Sequence, residues 1–147
     1  MTYDRRERTA TIHPNSDEDR VIVGVGIDHV DAGRIADLLE RFGQRGERRL
    51  FTDGELARCR DRTRPAECLA ARFAAKEAFV KALGTGLRDI AWTDIEVQGG
   101  EGEAPRLALQ GRAKAAFEAR GGTETHVSLT HEAGSAMAVV VIEGGEG

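Results

Sequence analysis

Four short stretches hold the side chains most able to do chemistry: "GIDHV" (26–30), "KEAFVK" (76–81), "GTG" (84–86) and "SLTHE" (128–132). Asp28 ends a β-branched run, so wherever that strand is buried its carboxylate needs a cation, donors or solvent. Taken alone, its plainest role is to cap the helix that follows. Glu77 and Lys81 stand i,i+4 in the favourable order, the pattern of an ordinary surface ion pair. Arg72 and Lys76 escape that explanation, because on a helical wheel they fall inside the sector of Leu69, Phe73, Phe79, Val80 and Leu83. Two cations in an apolar stripe either carry their heads out to solvent or face something anionic at a seam. Gly84, Thr85 and Gly86 come at the end of the same helix, where the dipole repels anions. These glycines serve first as a helix stop, and they also let backbone approach a ligand closely. His131 follows Val127 and Leu129 in phase on one strand face, a setting more typical of a packed or capping histidine than of a catalytic one.

The elements that must position these groups follow from the pattern around them. "VIVGVGI" (21–27) reads as a buried strand. Its Gly24-x-Gly26 lacks the third glycine of a dinucleotide fingerprint, since His29 stands there. From Asp31 the spacing predicts a helix through Ile35, Leu38, Leu39 and Phe42, stopped at Gly43. Thr52 and Glu55 form a capping box for a second helix. Pro65 suits the first turn of a third helix, which ends at Gly84 after Leu83. "WTDIEVQ" and "RLALQ" read as strands, "GRAKAAFEAR" as a short helix, and "THVSLTH" and "SAMAVVVIE" as a hairpin turning through "EAG". A strand, then mostly helices, then mostly strands gives an α+β class rather than a doubly wound sheet.

At 147 residues and 40% hydrophobic content the chain suits one domain, with a flexible polar tail at 1–20, a folded unit at 21–143 and a Gly-rich tail at 144–147. The first twenty residues lack the apolar core of a signal peptide and no window spans a membrane, so the expected location is cytoplasmic. Cys59 and Cys68 have no zinc-ligand spacing and are expected as free thiols. The net charge is −4, yet the segment 41–64 carries eight arginines against four acids, which leaves about −8 elsewhere. That asymmetry fits either a solvated helix surface or a local anion-binding face. With few aromatic side chains and no binding motif around the arginines, nucleic acid is not an expected partner.

In this order, "GVGIDHVDAGRI", "RRLFTDGEL", "ARFAAKEAFVKALGTGL", "WTDIEV" and "HVSLTHE…AMAVVVIE" resemble the small holo-[acyl-carrier-protein] synthases, a type of 4′-phosphopantetheinyl transferase. The resemblance implies that family's fold, with antiparallel strands packed on a long helix. It implies transfer of phosphopantetheine from coenzyme A to an acyl carrier protein serine, in fatty acid or polyketide synthesis, by a magnesium-dependent homotrimer with coenzyme A at the subunit seam. Carried over by position, Asp28 and Glu77 are the metal ligands, Lys81 engages the pyrophosphate, and His131 serves the phosphate-rich end of coenzyme A. Arg72, Lys76, Gly84, Thr85 and Gly86 are further candidates for coenzyme A, and Arg34 and Arg41 for the acidic carrier protein. His29 departs from the family's aliphatic or aromatic residue; packing outward is preferred for it over a place beside the metal. A catalytically idle relative is the rival reading, against which Asp28, Glu77 and Lys81 are all present.

Overall fold

The computed structural model describes residues 19–84 and 89–145. Strand β1 (Arg20–Asp31) leads into helix α1 (Ala32–Leu50), α2 (Asp53–Arg60) and α3 (Pro65–Leu83). A 3₁₀ turn (Trp92–Asp94) precedes the hairpin β2 (Ile95–Gly100) and β3 (Glu103–Leu109), then α4 (Gly111–Ala119), β4 (Gly122–Glu132) and β5 (Ser135–Gly145). The long strands form an antiparallel sheet in the order β1-β5-β4, while β2 and β3 pair separately. The α+β order expected from the sequence is therefore present, with strands packed on one long helix.

That helix is α3. All of its residues except Pro65, Ala66, Glu77 and Lys81 are buried, so it is a central helix rather than one with a single apolar stripe. One face of the sheet covers it through Ala136, Ala138, Val140 and Ile142 of β5 together with Val127 and Leu129 of β4. Its alanines 70, 71, 74, 75, 78 and 82 let neighbouring elements come close. Closest of all is β1: a Cβ on Gly24 would lie 1.9 Å from the Ala82 carbonyl oxygen, and one on Gly26 would lie 1.8 Å from that of Ala78. The Gly-x-Gly pair thus exists for strand–helix contact, backbone against backbone.

The helix ends follow their chemistry, with three corrections. Asp31, not Asp28, caps α1, accepting from the Gly33 amide at 2.7 Å. Gly43 does not stop α1; it kinks it at φ 58° and ψ −144°, and helix resumes as far as Leu50. Arg20 pairs with Gly145 and Val21 with Gly144, so the sheet takes in residues assigned to the two tails. The Thr52–Glu55 capping box, Pro65 in the first turn of α3 and the left-handed Gly84 cap (φ 73°) are as expected. The hairpin of β4 and β5 turns through Ala133 and Gly134, both at positive φ.

A bulge between Ile22 and Gly24 sets the outward phase of β1. Ile22, Val25 and Ile27, with Met137 of β5, are exposed, so the face of the sheet away from α3 carries an apolar surface.

Candidate active site

Near the C-terminal end of α3, three charged groups meet. Asp28 points from β1 toward the helix and is buried; Lys81 Nζ donates to its Oδ1 at 2.8 Å and to the Ile27 carbonyl at 3.1 Å. Glu77, one turn before Lys81, lies against the same carboxylate. Burial, then the neighbouring Asp28, pushes the Glu77 carboxyl up to about 7, against the pull of Arg34 and Lys81. Burial also opposes the charge on Asp28, but hydrogen bonds from Glu77 and Lys81 and the lysine's charge together hold it below its ordinary range. The hydrogen bond and charge of Asp28 raise Lys81 in turn. The three therefore form one coupled cluster rather than the isolated i,i+4 pair that spacing suggests.

Asp28 Oδ2 is buried and has no hydrogen-bond partner. A buried carboxylate oxygen left open beside a second carboxylate suits a hard divalent cation, which takes oxygen ligands and relieves the like-charge contact. Asp28 and Glu77 thus fit the metal that the resemblance implies.

The N-terminal end of α3 carries a different cluster. Glu67 accepts the Gly134 amide at 2.8 Å, and its other oxygen lies 3.3 Å from His131 Nδ1. The Gly134 amide, then Arg64 and His131, outweigh burial and hold Glu67 below the usual carboxylate range. Arg62, Arg64, Cys68, Glu101 and His131 line a 250 Å³ cavity here. Beside it a 220 Å³ cavity is lined by Arg72, Gly100, Pro105, Ser128 and His131 among others. Arg72 is 2% exposed; its Nη groups bind the Cys68 and Gly99 carbonyls, and its Nε has no partner. Burial lowers its pKa first of all, with Glu101 and Glu55 acting against.

The other expected site residues divide. Lys76 is a correction: it is fully buried and donates to Glu55 Oε1 at 2.6 Å, the Leu50 carbonyl at 2.7 Å and the Trp92 carbonyl at 3.1 Å, so it is spent inside the core and offers nothing to a coenzyme. Desolvation lowers its pKa, against the pull of Glu55. Arg34 and Arg41 line one concave surface of α1 with Asp31, Asp37 and Leu38, and neither has an ion-pair partner among the described residues. The field of Arg34 reaches Glu77, so this surface adjoins the carboxylate pair. His29 is exposed on the outer sheet face, opposite Met137 and away from the site. Gly84 caps the helix; Thr85 and Gly86 lie outside the described residues.

The cysteines are a further correction. Cys59 and Cys68 are joined in a disulfide, because the end of α2 and the first turn of α3 bring their Cα atoms within 5.5 Å. Spacing along the chain could not show that proximity.

Residues 24–138 match the family model described as the 4′-phosphopantetheinyl transferase superfamily. The chain belongs to that superfamily. Among curated phosphopantetheinyl transferases, the holo-[acyl-carrier-protein] synthase of Trichlorobacter lovleyi is 49% identical over 124 residues, covering 84% of this chain and 98% of its own. That of Nitratidesulfovibrio vulgaris strain DP4 is 50% identical over 124 residues, covering 84% and 99%. The crystal structure of the Neisseria meningitidis synthase aligns with a TM-score of 0.75 at 33% identity, over 83% of this chain and 98% of that one. The Helicobacter pylori synthase, in complex with coenzyme A, aligns at 0.70 and 31%, over 80% and 98%.

Sequence reasoning missed Glu67 and Glu101 around His131, and it included Arg62 and Arg64 only within the basic segment 41–64. Arg64 and Glu67 are spaced i,i+3, and that spacing was the available signal for the glutamate. Glu55 was visible only as a capping residue; its pairing with Lys76 joins residues 21 apart.

Proposed function

We infer that the protein transfers 4′-phosphopantetheine from coenzyme A to a serine hydroxyl of an apo-acyl carrier protein, releasing adenosine 3′,5′-bisphosphate. The observation that carries this is the Asp28–Glu77–Lys81 cluster, with its open buried oxygen, set beside the basic face of α1. In the reaction the serine oxygen forms a bond to the β-phosphorus of coenzyme A, and the bridging P–O bond to the adenosine phosphate breaks. Asp28 and Glu77 would hold a magnesium ion, which when bound would offset the charge of the pyrophosphate. Lys81 is 58% exposed at its side chain and so reaches a bound pyrophosphate, where it stabilises negative charge on the leaving group. Arg34 and Arg41 steer the acidic carrier to the site.

The nucleotide end of coenzyme A occupies the cavities around His131, where Arg62 and Arg64, paired in the free protein with Glu101 and Glu67, turn to the phosphates, and buried Arg72 lines the second cavity. Glu67 and Glu77 are ten residues apart on α3, about 15 Å along its axis, so the two clusters of one copy are widely spaced. A site shared between copies brings the pyrophosphate cluster of one to the nucleotide cavity of the next, and the exposed Ile22, Val25, Ile27 and Met137 supply an apolar surface for assembly as a homotrimer. The reaction belongs in the cytoplasm, in support of fatty acid or polyketide synthesis. Coenzyme A is a polyanion that does not cross a lipid core unaided, so the reaction is assigned to the compartment that holds it.

The test is to incubate the protein with apo-carrier protein, coenzyme A and magnesium and to weigh the carrier. A gain of one phosphopantetheine is expected, and no gain on any of several carriers overturns the reading.

A further inference from the structure

We propose that the Cys59–Cys68 disulfide is a redox-responsive latch on the nucleotide cavity, weakening coenzyme A binding when a dithiol reduces it. The proposal rests on the reading of the His131 end as the nucleotide site. The bridge joins the last turn of α2 to the first turn of α3 and closes the connecting segment between them. That segment carries Arg62 and Arg64, two of the cations lining the cavity, and Cys68 itself lines it. The sulfur is also tied to the third cation: Arg72 Nη1 donates to Cys68 Sγ at 3.2 Å.

Both cysteines are buried, yet both border open space. Cys68 meets the two cavities around His131, and Cys59 meets a 320 Å³ groove on the far side, lined by Leu39, Leu56, Pro65 and Leu69 among others. A small dithiol therefore has an approach from either side. Exchange proceeds by thiolate attack on one sulfur; the dithiol gives up two electrons and leaves as its own disulfide, and Cys59 and Cys68 each end with one proton.

Reduction acts on binding through the connecting segment. That segment loses its covalent closure, so ordering Arg62 and Arg64 around a phosphate costs conformational entropy that the bridged form has already lost. The bridged state is therefore the tighter binder. In reducing compartments the disulfides that do form are commonly catalytic or redox-sensing, and a latch is of that kind.

The full-length protein is prepared air-oxidised and dithiothreitol-reduced, and each form is alkylated and weighed. No adduct is expected on the first and two on the second. Calorimetric titration with adenosine 3′,5′-bisphosphate is expected to give affinity about fivefold weaker in the reduced form, the scale of ordering one or two flexible side chains. KM for coenzyme A rises by a similar factor while kcat changes little, because Asp28, Glu77 and Lys81 act at the other end of α3. Replacing both cysteines (Cys59→Ser with Cys68→Ser) fixes the weaker state and removes the response to dithiol; the wild-type comparison stands without that variant. Two adducts on the air-oxidised protein, or equal nucleotide affinity in both forms with carrier modification intact, overturns the latch alone. Failure of both forms to bind the nucleotide and to modify carrier overturns the coenzyme A reading, and the latch with it.

Discussion

Lys76 and Lys81 stand five residues apart on one helix and meet opposite fates. Lys76 and Glu55 have side chains at 0% exposure, and the ammonium has three acceptors while the Glu55 oxygens also take the Thr52 and Val97 amides. Lys81 reaches an aspartate whose second oxygen is left open, beside a glutamate held near 7. The first cluster is saturated from within the chain. The second is left short of positive charge, and that shortfall is what invites a cation and a phosphate. Charge in this molecule is structural where it is fully matched and available to a ligand where it is not.

The contrast can be broken from either side. The largest effect is expected at the sealed pair: Lys76→Met strands Glu55 in the core and lowers stability by about 3–5 kcal/mol in denaturant unfolding. Adding Glu55→Gln, which removes the charge but keeps hydrogen-bonding atoms, recovers part of the loss; no loss in the single variant would place the pair outside the core's economy of charge. Glu77→Gln should leave the melting temperature of the metal-free protein unchanged or higher and cut phosphopantetheine transfer at least about a hundredfold. A fully active Glu77→Gln would refute its place in the site. For Arg34→Glu, KM for carrier protein is expected to rise about tenfold with KM for coenzyme A nearly constant. An equal rise in both would assign Arg34 to the carboxylate cluster instead.

The smallest effect is a pH trend. Glu77 binds its proton more tightly folded than unfolded, so the metal-free protein should lose stability as pH rises from about 4.5 to about 7, once the unfolded chain has released that proton. Asp28, depressed in the fold, gives the reverse slope only below its usual 3.8. Magnesium should therefore raise the melting temperature more at pH 8 than at pH 5, and equal increments at both would count against the carboxylate pair as its site.

Much of this was legible in the residues. Thr52 with Glu55, Pro65 and Gly84 announce helix ends through local backbone chemistry, which needs no tertiary context. Asp28, Glu77 and Lys81 entered through motif resemblance, and their proximity appears only when β1 crosses α3. The helical wheel showed Arg72 and Lys76 in the apolar sector but not what they meet there. Lys76 meets Glu55 and two carbonyls contributed by α1 and the 3₁₀ turn, partners separated by tertiary folding. The disulfide escaped for the same reason, since residues nine apart are neighbours only because α2 folds back onto α3. The break at Gly43 was visible, but its outcome was not, because a glycine permits a kink as readily as a stop.

Gly24 and Gly26 carry a consequence for how this catalyst tolerates change. Since β1 rests on α3 through main-chain atoms, the spacing between Asp28 and Lys81 is gauged by two peptide backbones rather than by the bulk of core side chains. Methyl groups can be gained or lost around Phe51, Phe73 or Ile142 while that gauge stays fixed. A single methyl at either glycine would wedge the strand from the helix and part Asp28 from Glu77 and Lys81, so an alanine scan should find its most damaging small substitutions at these two positions, which carry no functional group at all.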